Sequence, residues 1–103
     1  MKIVTKNTIK KECWNLDYNL TKWINEHLKI YRDDSKSIVN LEYHKFNYNN
    51  KEYTQLQILN RLIDITDYLI SDEVDYFIYD EKLETYKNEM YDLLKLIHWC
   101  LWW

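Results

Sequence analysis

Six side chains near the start of this sequence combine aromatic faces with cations and an amide: Trp14, Tyr18, Lys22, Asn25, Lys29 and Arg32. On a helix, at about 100° per residue, their spacing gathers all six within about 80° of one another. Indole and phenol rings can stack on a base or a nicotinamide-like ring. Lysine and arginine meet phosphate, the guanidinium through two parallel hydrogen bonds. The chemistry expected of such a stripe is recognition of a nucleotide-type small molecule, although the same pattern also describes a solvated helix face. Asp17 lies at the flank, beside Cys13, Trp14, Leu20 and Thr21, where a carboxylate can be partly buried and perturbed. It joins the ligand-binding set, with capping or salt bridging as its plainer role.

Other chemistries find little support. The chain contains no glycine and no proline, which removes the P-loop, the GxGxxG fingerprint, the GxSxG elbow and the glycine of an EF-hand loop. His27, His44 and His98 fall on three different elements, and His98 and Cys100, two residues apart, point about 200° apart on a helix. His27 sits within an apolar seam and reads as a hydrogen-bonded core histidine. Cys13 and Cys100 read as small, reduced core residues, and Ser35, Ser37 and Ser71 have no base nearby in sequence. We therefore expect no catalytic residue, no metal and no cofactor, and a protein that is not an enzyme.

The elements that must carry these residues are mainly helical. The chain of 103 residues is long enough for one core and reads as a single helical domain, 1–103. Ile9, Cys13, Leu16, Leu20, Trp23, Ile24, Leu28 and Tyr31 predict a long amphipathic helix over about 8–32, after an unpatterned lead. Thr54 reads as the N-cap of a second helix, about 54–71, whose apolar residues cover half its circumference and so imply two neighbours. A third helix is predicted over about 81–102. The three long helices form a small bundle; for the 33–53 connector the pattern leaves open whether it forms strands, a short β-hairpin near 38–48 and 51–54 turned by Asn49 and Asn50 being one option. The last turns are apolar nearly all round. Leu96, Trp99, Trp102 and Trp103 are thus expected either to form a homo-oligomer interface or to fold back on the domain's own core.

Charge is distributed unevenly. Residues 1–32 carry seven Lys/Arg against three Asp/Glu, whereas residues 64–92 carry two against ten. A net charge of −3 with only two arginines argues against duplex nucleic acid as a partner. The acidic part could instead dock on a basic host protein, with Asp72, Glu73 and Asp75 as its contact residues. No stretch has the length and apolarity of a membrane span.

Through Cys13-Trp14-Asn15-Leu16-Asp17-Tyr18-Asn19-Leu20, Leu28-Lys29-Ile30-Tyr31-Arg32, Ile58-Leu59-Asn60-Arg61-Leu62-Ile63 and the closing Leu101-Trp102-Trp103, the chain resembles small accessory proteins of bacteriophages and prophages. The likeness covers about two-thirds of the chain and skips the connector, which in that group often carries proline and glycine. The group lends no activity to individual residues. It implies a viral protein acting in the host bacterial cytoplasm. The expected function is anti-defence by binding: sequestration of a nucleotide-derived immune signal by a homo-oligomer. The alternatives are an inhibitor of a host defence nuclease or effector, with or without nucleic-acid mimicry, and a virion or assembly component.

Overall fold

A computed structural model describes residues 5–75, 78 and 80–102. Its elements run in the order α1 (Lys6–Glu12), α2 (Leu16–Ser35), β1 (Lys45–Tyr48), β2 (Lys51–Thr54), α3 (Gln55–Leu69) and α4 (Glu81–Ile97), closed by a 3-10 turn at His98–Cys100. The protein is mainly helical, with one two-stranded antiparallel sheet.

The single helix expected over 8–32 is two helices. Thr5 starts α1 by accepting from the Thr8 amide, so the lead is already helical from Lys6. The chain then breaks at Cys13–Asn15, where Asn15 takes a left-handed conformation with φ 50°. Asn19 Nδ2 donates to the Trp14 carbonyl at 2.6 Å and pins the break. With no glycine available, the positive-φ positions among the described residues, Asn15, Asn49 and Asn50, are all asparagines, whose short polar side chain tolerates that region. Asn49 and Asn50 make the two-residue hairpin turn that the sequence allows, with Lys45 opposite Thr54 and Tyr48 opposite Lys51.

The first strand is shorter than expected because 38–44 are held by turns. The amides of Ile38 and Val39 both donate to Ser35 O, and the Asn40 side chain accepts from the Glu42 amide. Leu41 is buried, and its carbonyl accepts from the Leu56 amide. Thr54 does cap the second helix, in a reciprocal box with Gln57.

Helix α3 is the centre of the fold. Ile58, Leu59, Leu62, Ile63, Ile65 and Leu69 are buried, an arc of about 160° at 100° per residue, with α2 and α4 packed against α3. Met90, Leu93 and Ile97 of α4 and Leu28 of α2 complete the core, and Phe46, Tyr48 and Tyr53 of the hairpin pack against it. The Cα positions extend 42 × 41 × 20 Å, so the molecule is flat and each flanking helix keeps an outer face.

Helix α2 is rotated away from its apolar seam. Its buried residues are Thr21, Asn25, Leu28 and Ser35, whereas Leu16, Leu20 and Trp23, expected in the core, are about half exposed. The cause is Asn25, only 1% exposed. Its Nδ2 donates to Thr66 Oγ1 at 2.8 Å and to Asp67 Oδ1 at 2.9 Å. Lys29 Nζ reaches the same Asp67 oxygen at 2.7 Å. A buried amide must find such partners, and these lie on α3. Two further expectations change with the rotation. His27 is exposed, stacked on Trp23 at 3.7 Å with Nδ1 donating to the Trp23 carbonyl. Cys13 is exposed at the end of α1, and Cys100 is half-buried.

The last helix stops at Ile97 instead of running to 102. Past it, Gln55 Nε2 donates to the Cys100 carbonyl at 3.0 Å, and the Tyr31 hydroxyl reaches the Trp102 carbonyl at 2.8 Å, so residues 98–102 are held against α2 and α3.

Two stability measurements check this packing. Asn25→Ala removes the donor to Thr66 Oγ1 and one of two donors to Asp67, which keeps Lys29, and should cost about 1–3 kcal/mol in denaturant unfolding. Ser35→Ala should leave stability unchanged or raise it, because the buried Ser35 hydroxyl has no hydrogen-bond partner among the described residues. Equal losses in the two variants would contradict the assignment. Acid sensitivity gives a second check. Burial pushes the Asp67 carboxyl up, but hydrogen bonds from Lys29 and Asn25 outweigh it and hold the group below the ordinary carboxylate range. Its contribution is therefore present above about pH 4 and fades as pH falls through the lower folded value. Lys29→Met should flatten that acid-side loss in a pH series of thermal melts.

Candidate functional site

The turns at 38–44 separate two concavities that share Ile38, Val39 and Asn40 as a common wall. The larger, about 600 Å³, lies between the C-terminal end of α2 and the start of α3. Arg32 and Lys36 approach it from α2 and Asn60 from α3, over an apolar floor of Leu41 and Leu56, with Asp33 and Glu42 on its rim. The smaller, about 250 Å³, is lined by Tyr43, His44, Gln55 and Trp102.

Arg32, Trp102 and the Tyr43–His44 pair are positioned by their neighbours. Arg32 lies one helical turn before Lys36, so both project from the same side of α2. The guanidinium is oriented by two contacts, Nη1 donating to Asn60 Oδ1 at 3.0 Å and Nε to Asp33 Oδ1 at 2.9 Å. Nη2 makes neither of them. Trp102 is carried by the C-terminal turn, whose backbone Tyr31 and Gln55 hold from α2 and α3. Tyr43 and His44 stand edge to face at 5.2 Å on the far side. One side of the shared wall thus offers cations and an amide, the other side aromatic rings. The larger concavity by itself falls within the usual range for small-molecule sites.

The residues singled out from sequence are only partly brought together here. Arg32 and Trp102 reach this region. Asn25 and Lys29 are engaged between α2 and α3, and Lys22 pairs with Glu26 at 3.8 Å on the surface. Trp14 is exposed at the break before α2, and Tyr18 is half-buried in the first turn of the helix. Asp17 is exposed, its Oδ1 accepting from the Tyr18 amide in the first turn. Leu96 is half-buried, Trp99 is exposed, and Trp103 lies outside the described residues. Asp72, Glu73 and Asp75 lie in the segment after α3 and are exposed.

Lys36, Asn40, Tyr43 and Asn60 were not singled out. Lys36 could have been found, since it continues the Lys29–Arg32 spacing once the helix is extended to Ser35. Asn60 could not, because only the packing of α2 on α3 sets it beside Arg32.

Two other groups are perturbed without forming a site. Burial, with Asp92 and Glu89 nearby, pushes the Tyr48 hydroxyl up. The Glu89 carboxylate, gripped by two guanidinium bonds, raises Arg61 against the opposing effect of its burial. Both read as ties between the hairpin, α3 and α4. Among the described residues no group of three or more His, Cys, Asp or Glu could hold a metal ion, and no helix is long and apolar enough to cross a membrane. Compared with family models, curated proteins and solved structures, the chain finds no match.

The tether of the aromatic wall is testable by itself. Tyr31→Phe should lower stability by about 1 kcal/mol and speed carboxypeptidase release of the C-terminal residues. Trp102→Ala, which removes an exposed side chain and keeps the backbone contact, should change stability by less than about 0.5 kcal/mol.

Proposed function

We propose that this chain is a bacteriophage accessory protein that acts by binding, capturing a nucleotide-derived immune signal of its bacterial host as a homo-oligomer. The observation that carries the ligand class is the paired concavity. A phosphate or pyrophosphate group fits against Arg32 and Lys36, where the guanidinium keeps its Nη2 edge for an anion. A base stacks across the wall on Trp102 or Tyr43. Glu42 and Asn60 are suited to ribose hydroxyls or an exocyclic amine. The viral setting rests on the resemblance of the first helix and of the C-terminal Leu-Trp-Trp to phage and prophage proteins. Sequestration asks nothing further of the site, because a bound signal is removed without being altered.

In this reading Arg32 keeps the role the sequence suggests, and Trp102 moves from the assembly face to the ligand face. Lys22, Lys29 and Asn25 serve the packing and surface of α2.

Calorimetry with cyclic dinucleotides, cyclic ADP-ribose and linear ADP-ribose tests the proposal. At least one of these should bind with micromolar or tighter affinity. Arg32→Glu and Trp102→Ala should each weaken it tenfold or more, and Lys22→Ala should not. Absence of heat and of thermal stabilisation with every member of the panel up to millimolar concentration would refute the ligand class.

A further inference from the structure

The smaller concavity is lined by a polar side chain whose oxygen no described residue hydrogen-bonds. Gln55 opens α3 and is only 3% exposed. Its backbone amide donates to the His44 carbonyl at 3.2 Å, and its side-chain Nε2 to the Cys100 carbonyl at 3.0 Å. That carbonyl is fixed in turn, accepting also from the Tyr31 hydroxyl at 3.2 Å and the Trp102 amide at 3.1 Å. A carbonyl can only accept, so the nitrogen of the carboxamide must face it and the orientation of Gln55 is settled. Oε1 then accepts no hydrogen bond from the described residues. It is not sealed in either. Among the described residues Ser35 Oγ is the buried side-chain polar atom without a partner, whereas Gln55 lines the concavity of about 250 Å³. An acceptor so largely removed from water is costly unless something donates to it.

Asn40, on the shared wall, has the opposite character. Its Oδ1 accepts from the Glu42 amide at 3.0 Å, which leaves Nδ2 as a donor. One acceptor, one donor and the rings of Trp102 and Tyr43 therefore line the same small volume. We infer that this concavity takes the base of the captured nucleotide and selects adenine, with Gln55 Oε1 accepting from the exocyclic amine and Asn40 Nδ2 donating to a ring nitrogen. The inference rests on the nucleotide capture proposed above and names its base.

The match follows from the edges of the bases. Adenine has one donor group, N6–H2, with an acceptor on either side, N1 or N7. Guanine sets N1–H and N2–H2 side by side, a pair that suits the two oxygens of a carboxylate and not a single amide oxygen. The carboxylate of Glu42 lines the other concavity. The remaining edge of guanine, O6 and N7, offers Gln55 no donor. A purine also gives Trp102 and Tyr43 a larger face for stacking than a pyrimidine. The phosphate groups stay with Arg32 and Lys36 on the far side of the shared wall.

Calorimetry with two ligand pairs, alike except in the base, tests the assignment: cyclic di-AMP against cyclic di-GMP, and ADP-ribose against its analogue with unsubstituted purine in place of adenine. At least one adenine ligand should bind, and tenfold or more tightly than its counterpart, about the loss expected of one hydrogen bond to a buried acceptor. This ratio in the wild-type chain decides the base without any variant. Gln55→Leu should bring the ratio below about twofold. Tyr31→Phe loosens the same C-terminal turn and keeps Oε1, so it should weaken both members alike and preserve the ratio. Equal affinities within each pair, or tighter binding of cyclic di-GMP, would overturn the choice of adenine and leave nucleotide capture standing. A ratio that survives in Gln55→Leu would overturn the role of Gln55. If none of the four binds, the inference falls, and nucleotide capture falls with it only if cyclic ADP-ribose is silent too.

Discussion

The carboxamide of Asn25 decides how the molecule divides its surface. Helix α2 has more apolar circumference than one neighbour can cover, so burial alone does not fix its rotation. An arrangement with Leu20 and Trp23 inside would remove more apolar area from water and would leave Asn25 out. The observed one puts the amide against Thr66 and Asp67, adds Lys29 to the same carboxylate, and lets the small Thr21 and Ser35 bring α2 close to α3. Hydrogen bonds gain little net stability but cost much when a buried group is left unpaired. Their effect here is on the choice of packing, which pairs the Asn25 amide and leaves Leu20 and Trp23 about half exposed.

Two surfaces follow from that choice. Toward its C-terminal end, α2 presents Arg32 and Lys36 beside α3 and the 38–44 turns, where an anion and an aromatic ring can be held within one region. Along its outer side it exposes Leu16, Leu20, Trp23 and Ile30. The flatness of the molecule leaves both surfaces accessible. Trp102 belongs to the first surface, because Tyr31 and Gln55 hold the backbone of Cys100 and Trp102 from α2 and α3.

Much of the fold was legible from local pattern. Thr54 as a cap, the Asn49-Asn50 turn, the half-covered circumference of α3 with neighbours on two sides, and the seam through Met90, Leu93 and Ile97 all depend on residues near one another in sequence. The largest error has a long-range cause. Periodicity identifies the apolar arc of a helix, but the phase of α2 within that arc depends on partners 38 to 42 residues away. The break at Cys13–Asn15 was hidden because the apolar spacing runs through it, and the end of α4 because the residues beyond Ile97 are as apolar as those before. In the candidate site Arg32 was visible as part of a stripe, whereas its partner Asn60 and the aromatic wall arise from long-range packing.

The orientation of α2 is most directly read from its side-chain amide. In an NMR spectrum of the labelled protein, the Asn25 carboxamide protons should exchange slowly with water and show contacts to the Thr66 methyl group, with the Trp23 indole free of contacts to Leu59 or Ile63 of its own chain. A rapidly exchanging Asn25 amide, together with Trp23 contacts to the α3 core, would contradict the packing on which both surfaces depend.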